Sequence, residues 1–217
     1  MLIISLLIIT SLIAIVAKLK SPGAYTYTKA LPIFVLIALA AAAFLKNPES
    51  PYLLWILLAI TAGCAGDFLL LRSSFFIPGL LAFLLGHLFY AAAFLTRDWI
   101  LPWHCPAGLI VVGVVYYWML MRRMGPERAA KYRIPVALYF ATIAFMTAAA
   151  WNHAWYYIVD VQSRWLLIIG GAMFPLADGI LGWVKFAGRF PGDEFVKSVT
   201  YYAAQALIIL GALRYFA

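Results

Sequence analysis

The sequence predicts an all-α, polytopic membrane protein of eight transmembrane helices, a single integral membrane domain over residues 1–217. Three observations carry that reading. Of the 217 residues 66% are hydrophobic and only 11% charged, where a soluble domain carries about 25% charged residues. Mean hydropathy is +0.97. The apolar residues fall into eight runs of about the 20 residues that a helix needs to cross a bilayer, separated by short polar connections.

The runs cover 1–17, 27–45, 52–71, 75–95, 101–121, 134–153, 163–186 and 197–216. The first lacks a basic region ahead of its apolar stretch, with Lys18 and Lys20 following it, so it reads as a retained span and not as a cleaved leader. Aromatic residues at the run ends (Trp55, Trp99, Trp103, Trp155, Trp165, Trp183 and Tyr215) fit an interfacial belt. The fifth run is the least regular, broken near its start by Pro102 and Pro106. Short connections leave no room for an inserted soluble domain.

The net charge of +8 resides in these connections. Connections after the odd-numbered runs hold Lys18, Lys20, Lys29, Arg72, Arg122, Arg123, Arg128, Lys131, Arg133, Lys185, Arg189 and Lys197, and the opposite side holds Lys46, Arg97, Arg164 and Arg214. The asymmetry, twelve against four, directs the odd connections to the cytoplasm and both termini outside. The expected location is a cell membrane, the inner membrane of a bacterium. Positive charge used for topology does not argue for nucleic acid. Cys64 and Cys105 fall at different depths, so no disulfide framework is implied.

Two carboxylates stand out inside these runs. Asp67 lies about 6 Å from the cytoplasmic end of the third run and Asp178 about 10 Å from the same surface on the seventh, at 1.5 Å per residue. An ionisable side chain at mid-membrane costs at least about 2.5–3.5 kcal/mol, so such residues mark sites. A weak echo relates Gly66-Asp67-Phe68-Leu69-Leu70 to Ala177-Asp178-Gly179-Ile180-Leu181, and Lys29 with Pro32 to Arg133 with Pro135. Two four-helix halves related about the membrane normal would produce it, as would coincidence.

Around these carboxylates, Phe76, Gly79, Phe83, His87 and Tyr90 recur every three or four residues and share one helix face. A face with Gly, His and Tyr turns inward in a bundle. His87 serves either in a polar pocket or as a helix-to-helix hydrogen bond. Its depth, about 18 Å, exceeds that of either aspartate, so contact with them requires tilt or a breached span. Tyr201 and Gln205 share a face of the eighth run, and Pro135, Tyr139, Ile143 and Met146 one of the sixth. Gln205 either orders water or substrate or ties helices together. Lys29, Arg72 and Arg133 stand at the cytoplasmic rim, as phosphate-binding cations or as topology signals alone.

No metal is expected. A catalytic zinc takes three protein ligands, whereas only three histidines exist and His104 and His153 fall at or near the outer surface. No nucleophile elbow of the G-x-S-x-G type occurs either. Paired carboxylates are the best-supported chemistry.

The string Gly66-Asp67, followed by Phe76-x-x-Gly79-x-x-x-Phe83-x-x-x-His87-x-x-Tyr90, resembles the signature of the YhhN and transmembrane-protein-86 family. So does Gly171-Ala172-x-Phe174-x-x-Ala177-Asp178. Pro135-x-x-x-Tyr139 with Met146, and Tyr201-Tyr202-x-x-Gln205, follow in the same order. The likeness covers runs two to eight. Ala177 stands where the family has Ser, and Lys29-Ala30-Leu31-Pro32 where it has Lys-Pro-Leu. The resemblance implies an eight-helix lysoplasmalogenase, which hydrolyses the vinyl ether of lysoplasmalogens to a fatty aldehyde and a glycerophospho-headgroup. Its partners are then a lysophospholipid substrate and the bilayer, with no cofactor, no nucleic acid and no obligate protein partner.

In that frame Asp67 and Asp178 are the catalytic pair, and His87, Tyr90, Tyr139, Tyr201, Gln205, Lys29 and Arg72 line the pocket or bind substrate. A vinyl ether is cleaved by protonating its β-carbon and trapping the oxocarbenium ion with water. That takes one carboxylic acid kept protonated and one carboxylate, much as glycosidases divide two carboxyl groups. A lipid would come in from the leaflet, headgroup at the cationic rim and tail among Phe and Leu. The alternatives are a small transporter or proton-coupled carrier using the two aspartates, and a metal-dependent lipid hydrolase.

Overall fold

In the computed structural model, which describes residues 2–102 and 106–214, the chain is all-helical. The helices are α1 (Leu2–Lys20), α2 (Pro22–Thr28), α3 (Leu31–Lys46), α4 (Pro51–Leu69), α5 (Phe76–Phe94), α6 (Ala107–Met124), α7 (Pro126–Tyr157), α8 (Val161–Phe186) and α9 (Asp193–Arg214). Seven stretches, with α2 and α3 counted together from Gly23 to Lys46, are long and apolar enough to cross a membrane. The 19-residue α1, apolar up to Lys18, stands beside them as the eighth. The chain is an integral, multi-pass membrane protein.

Helix ends follow local chemistry. Ser50 caps α4 by accepting from the Leu53 amide, with Pro51 at the first helical position. Asp160 caps α8, accepting at 2.8 Å from the Ser163 amide and at 2.6 Å from its hydroxyl. Gly125, at φ 76°, turns the chain from α6 into α7 in a left-handed conformation that favours glycine. With 32 residues, α7 is about 48 Å long and outreaches the hydrocarbon core. Pro175 inside α8 has no N–H for the Gly171 carbonyl, and Thr147 of α7 donates its hydroxyl to that carbonyl at 3.0 Å.

Three boundaries differ from the sequence expectation. The second run is two helices, because the chain breaks at Lys29 and Ala30 before Pro32. The fifth begins at Ala107 and not at 101. Residues 98–102 lie outside any helix, and Asn152 of α7 holds them by accepting from the Ile100 and Leu101 amides and donating to the Asp98 carbonyl. The sixth starts eight residues earlier than expected, since the basic turn with Arg128, Lys131 and Arg133 is helical too. Trp103, His104, Cys105 and Tyr215 lie outside the described residues. His153, expected near the outer surface, is buried, stacked on Tyr52 at 4.9 Å between ring centroids.

The packing repeats. In the first half α1 meets α3, α3 meets α4, α4 meets α5, and α5 reaches across to α7. In the second, α6 meets α7, α7 meets α8, α8 meets α9, and α9 reaches across to α3. Glycines bring the closest pairs together. A Cβ on Gly86 would sit 3.1 Å from the Ala59 carbonyl of α4, and one on Gly170 would sit 2.8 Å from the Ile208 amide of α9.

Candidate functional site

At the end of the bundle that carries the α1–α2, α4–α5, α6–α7 and α8–α9 connections, a cavity of about 310 Å³ opens between α4, α8, α9 and the α2–α3 break. Asp67 and Asp178 both line it, and both are buried. Hydrogen bonds from four other elements hold them.

The break between α2 and α3 frees Lys29 to reach α4. Its ammonium lies 3.0 Å from Asp67 Oδ1 and donates at 2.9 Å to the Asp67 carbonyl. The other carboxylate oxygen, Oδ2, accepts from the Tyr201 hydroxyl of α9 at 2.7 Å. Tyr202, next to it, donates at 3.0 Å to the Lys29 carbonyl and so holds the break in place. Gly66 matters because a Cβ there would lie 2.8 Å from the Phe83 ring, which stands edge-on to Tyr201 at 5.9 Å.

Asp178 is held differently. Its Oδ2 accepts from the Tyr139 hydroxyl of α7 at 2.9 Å and lies 2.9 Å from His87 Nε2 of α5. Its Oδ1 has no protein hydrogen bond among the described residues. Phe174 and Tyr139 stand edge-on to the His87 ring at 5.1 and 5.9 Å. The far ring nitrogen, Nδ1, is buried without a partner. Among the described residues, the His87 ring therefore makes its hydrogen bond through Nε2 to Asp178 alone.

Contact between His87 and Asp178 corrects the depth argument, which located backbones and not side-chain ends. The α5 helix starts at Phe76 and α8 runs to Phe186, so the two levels differ by only about 5 Å. The side chains close that gap.

The other expected residues divide. Tyr90 and Gln205 are fully buried, and the Tyr90 hydroxyl donates to Gln205 Oε1 at 2.7 Å, a bridge between α5 and α9 beneath the cavity. Arg72 and Arg133 are exposed, and neither lines the cavity. The cations that do line it besides Lys29 are Lys18, at the end of α1, and Lys197, on the first turns of α9. Glu194 joins them, 3.4 Å from Lys18 and 2.8 Å from Lys197. Sequence reading counted both lysines as topology signals. Lys197, Tyr201 and Gln205 follow one another at intervals of four, a face that would have pointed Lys197 at the site.

Asp178 also lines a second space. On its other side an apolar groove of about 300 Å³ runs between α5, α7 and α8, bounded by Ile77, Leu81, Ile134, Leu138 and Phe186. The first four of those side chains are exposed on the lipid-facing surface. No three His, Cys, Asp or Glu side chains converge on a metal position among the described residues.

Comparison with known proteins gives a consistent set. The model of the YhhN family matches residues 24–212. Human lysoplasmalogenase TMEM86B is 30% identical over 191 residues, which is 86% of this chain and 74% of that protein. Lysoplasmalogenase TMEM86A of Bos taurus is 30% identical over 197 residues, 85% of this chain and 76% of the relative. Human lysoplasmalogenase TMEM86A is 28% identical over 199 residues, covering 87% and 78%. No solved structure matches the chain.

Proposed function

The chain belongs to the YhhN family, and from that membership and the geometry of its buried carboxylates we propose that it is a lysoplasmalogenase, a hydrolase of the vinyl ether bond of single-chain lipids. The observation that carries the reading is that two carboxylates on one cavity are held in opposite ways. Asp67 sits in an ion pair with both oxygens occupied. Among the described residues, Asp178 has no Lys or Arg bonded to it, one engaged oxygen and one without a protein partner.

That difference assigns roles. Asp178 is the acid: with Oδ2 engaged by Tyr139 and His87, its carboxyl proton is delivered from Oδ1 to the β-carbon of the vinyl ether, and the π-electrons of the double bond form the new C–H bond. Positive charge then develops on the α-carbon and the ether oxygen. Asp67 stabilises this oxocarbenium ion and orients the water that adds to the α-carbon, accepting its proton. The hemiacetal so formed breaks its C–O bond to the glycerol oxygen, which leaves protonated, and the chain departs as an aldehyde. One water is consumed. Tyr139 and Tyr201 hold the carboxyl groups in place through both steps.

The charge asymmetry of the connections supports an orientation with the cavity toward the cytoplasm and both termini outside. The location proposed is a cell membrane, the inner membrane in a bacterium. Aldehyde release from a lysoplasmalogen by the purified protein tests the activity. Release is expected from the vinyl ether lipid and not from its saturated alkyl ether analogue. Equal inertness toward both would sink the reading.

A further inference from the structure

The charged end of the cavity has an arrangement that the reaction at Asp178 does not use. Lys18, Lys29 and Lys197 converge from three separate elements on one wall. Two carboxylates balance them: Asp67 on Lys29, and Glu194 shared between Lys18 and Lys197. Arg189 pairs with Asp193 at 2.8 Å and also reaches the other oxygen of Glu194 at 3.4 Å, so the two add one cation and one carboxylate and leave the balance unchanged. With Asp178 a neutral acid, as its role in the hydrolase reading requires, three ammonium groups against the carboxylates of Asp67 and Glu194 leave a single positive charge. Lys18 and Lys197 each keep donors that one shared carboxylate does not exhaust.

A single net positive charge in a partly enclosed cavity suits a single negative one. A phosphate diester carries one negative charge at neutral pH, whereas a phosphate monoester carries close to two. The same cavity meets the apolar groove at Asp178 and Leu181, which line both. A charged cavity and an apolar groove open to lipid thus flank the acid, which lines both.

We propose that Lys18 and Lys197, with Glu194 between them, form a phosphodiester subsite. It holds a single-chain glycerophospholipid with its headgroup in the charged cavity and its chain in the α5–α7 groove. The inference rests on the hydrolase reading for the identity of the reacting bond, and goes beyond it by specifying the headgroup charge and the path of the chain. The glycerol C1 oxygen then lies between the two ends, beside Asp178. The lipid slides in sideways past Ile77 and Leu81, so headgroup and chain never exchange places.

The test is binding, measured on the full chain in nanodiscs with an uncleavable probe, 1-O-hexadecyl lysophosphatidylethanolamine. Hexadecylglycerol, glycerophosphoethanolamine and hexadecyl lysophosphatidate are run beside it. Lys197→Gln and Lys18→Gln should each weaken the phosphodiester probe about 10-fold, as for loss of one charge-assisted hydrogen bond, and leave hexadecylglycerol unchanged. Leu81→Trp, at an exposed rim position, should weaken both hexadecyl lipids and leave glycerophosphoethanolamine unaffected. Lysophosphatidate should bind more weakly than the diester probe. Thermal unfolding in parallel separates a misfolded variant from a failed contact, and the two lysine variants act as independent checks.

Unchanged diester binding in a folded lysine variant overturns the subsite, as does lysophosphatidate binding as tightly as the diester. Glycerophosphoethanolamine binding as tightly as the lipid probe would make the site one for a free phosphodiester and overturn the role of the groove. Because the probe is never cleaved, these results stand apart from whether lysoplasmalogen is hydrolysed.

Discussion

His87 Nε2 and Asp178 Oδ2 lie 2.9 Å apart, joining the middle of α5 to α8 across 91 residues of sequence. No other nitrogen is hydrogen-bonded to that carboxyl group among the described residues, and the far nitrogen of the ring has no partner. The imidazole, with the Tyr139 hydroxyl, therefore sets the orientation of the acid.

Replacing either carboxylate should abolish most turnover. Asp67→Asn and Asp178→Asn are each expected to lower kcat by at least about 10²-fold, the lower end of what positioned acid–base groups contribute. Both variants should remain folded and membrane-inserted. Assaying aldehyde release per folded protein checks this, and a variant at near-wild-type rate removes that aspartate from the mechanism.

His87→Phe keeps a ring among Phe174 and Tyr139 but removes the nitrogen facing Asp178. A drop of about 10-fold or more in kcat is expected, with KM for the lysolipid changed far less, because His87 touches the acid and not the headgroup end. A KM change as large as the kcat change would make His87 a substrate contact instead.

The chemical step has an isotopic signature. Protonation at carbon in D₂O places one deuterium at C2 of the released aldehyde, and the reaction should slow because that transfer limits the rate. Mass spectrometry of aldehyde trapped before enolisation reads the label. Unlabelled aldehyde would exclude vinyl protonation even with cleavage confirmed.

The contact between α8 and α9 makes a stability prediction. At Gly170 a Cβ would lie 2.8 Å from a backbone amide, which cannot swing aside as a side-chain tip can. Gly170→Ala should destabilise by about 1–3 kcal/mol, the usual cost of overpacking. Gly113→Ala, where a Cβ meets nothing within 4 Å, should be neutral or slightly stabilising. Thermal unfolding of both variants in one detergent makes the comparison, and equal midpoints would contradict the close approach.

Much of this arrangement was legible in the sequence. The periodic face of α5 turned inward, with Gly79, Phe83, His87 and Tyr90 buried, because a spacing of three and four fixes a helix face without tertiary information. Asp67 and Asp178 were recognisable because charge inside an apolar run is costly. Four things were not legible. The break at Lys29 and Ala30 falls on two good helix formers, and the contact with Asp67 gives it its purpose. The distance from His87 to Asp178 depends on side-chain reach, which residue counting along straight helices omits. Lys18 and Lys197 were hidden in the charge pattern that orients the bundle, since a lysine at a helix end reads the same whether it meets water or a pocket. Asn152 gave no signal at all, as its three hydrogen bonds go to backbone that only the fold brings near.

The carboxylates are held crosswise: Asp67 of the first half by Tyr201 on the last helix of the second, Asp178 of the second half by His87 on the last helix of the first. A chain emerging from the ribosome therefore carries Asp67 and Lys29 into the membrane long before α9 exists to complete them. Until that final helix inserts, the acid and its counterpart cannot both be in place. A nascent or truncated chain that lacks α9 is thus inert toward the lipids around it, and the reactive centre comes into being only once that helix has been made.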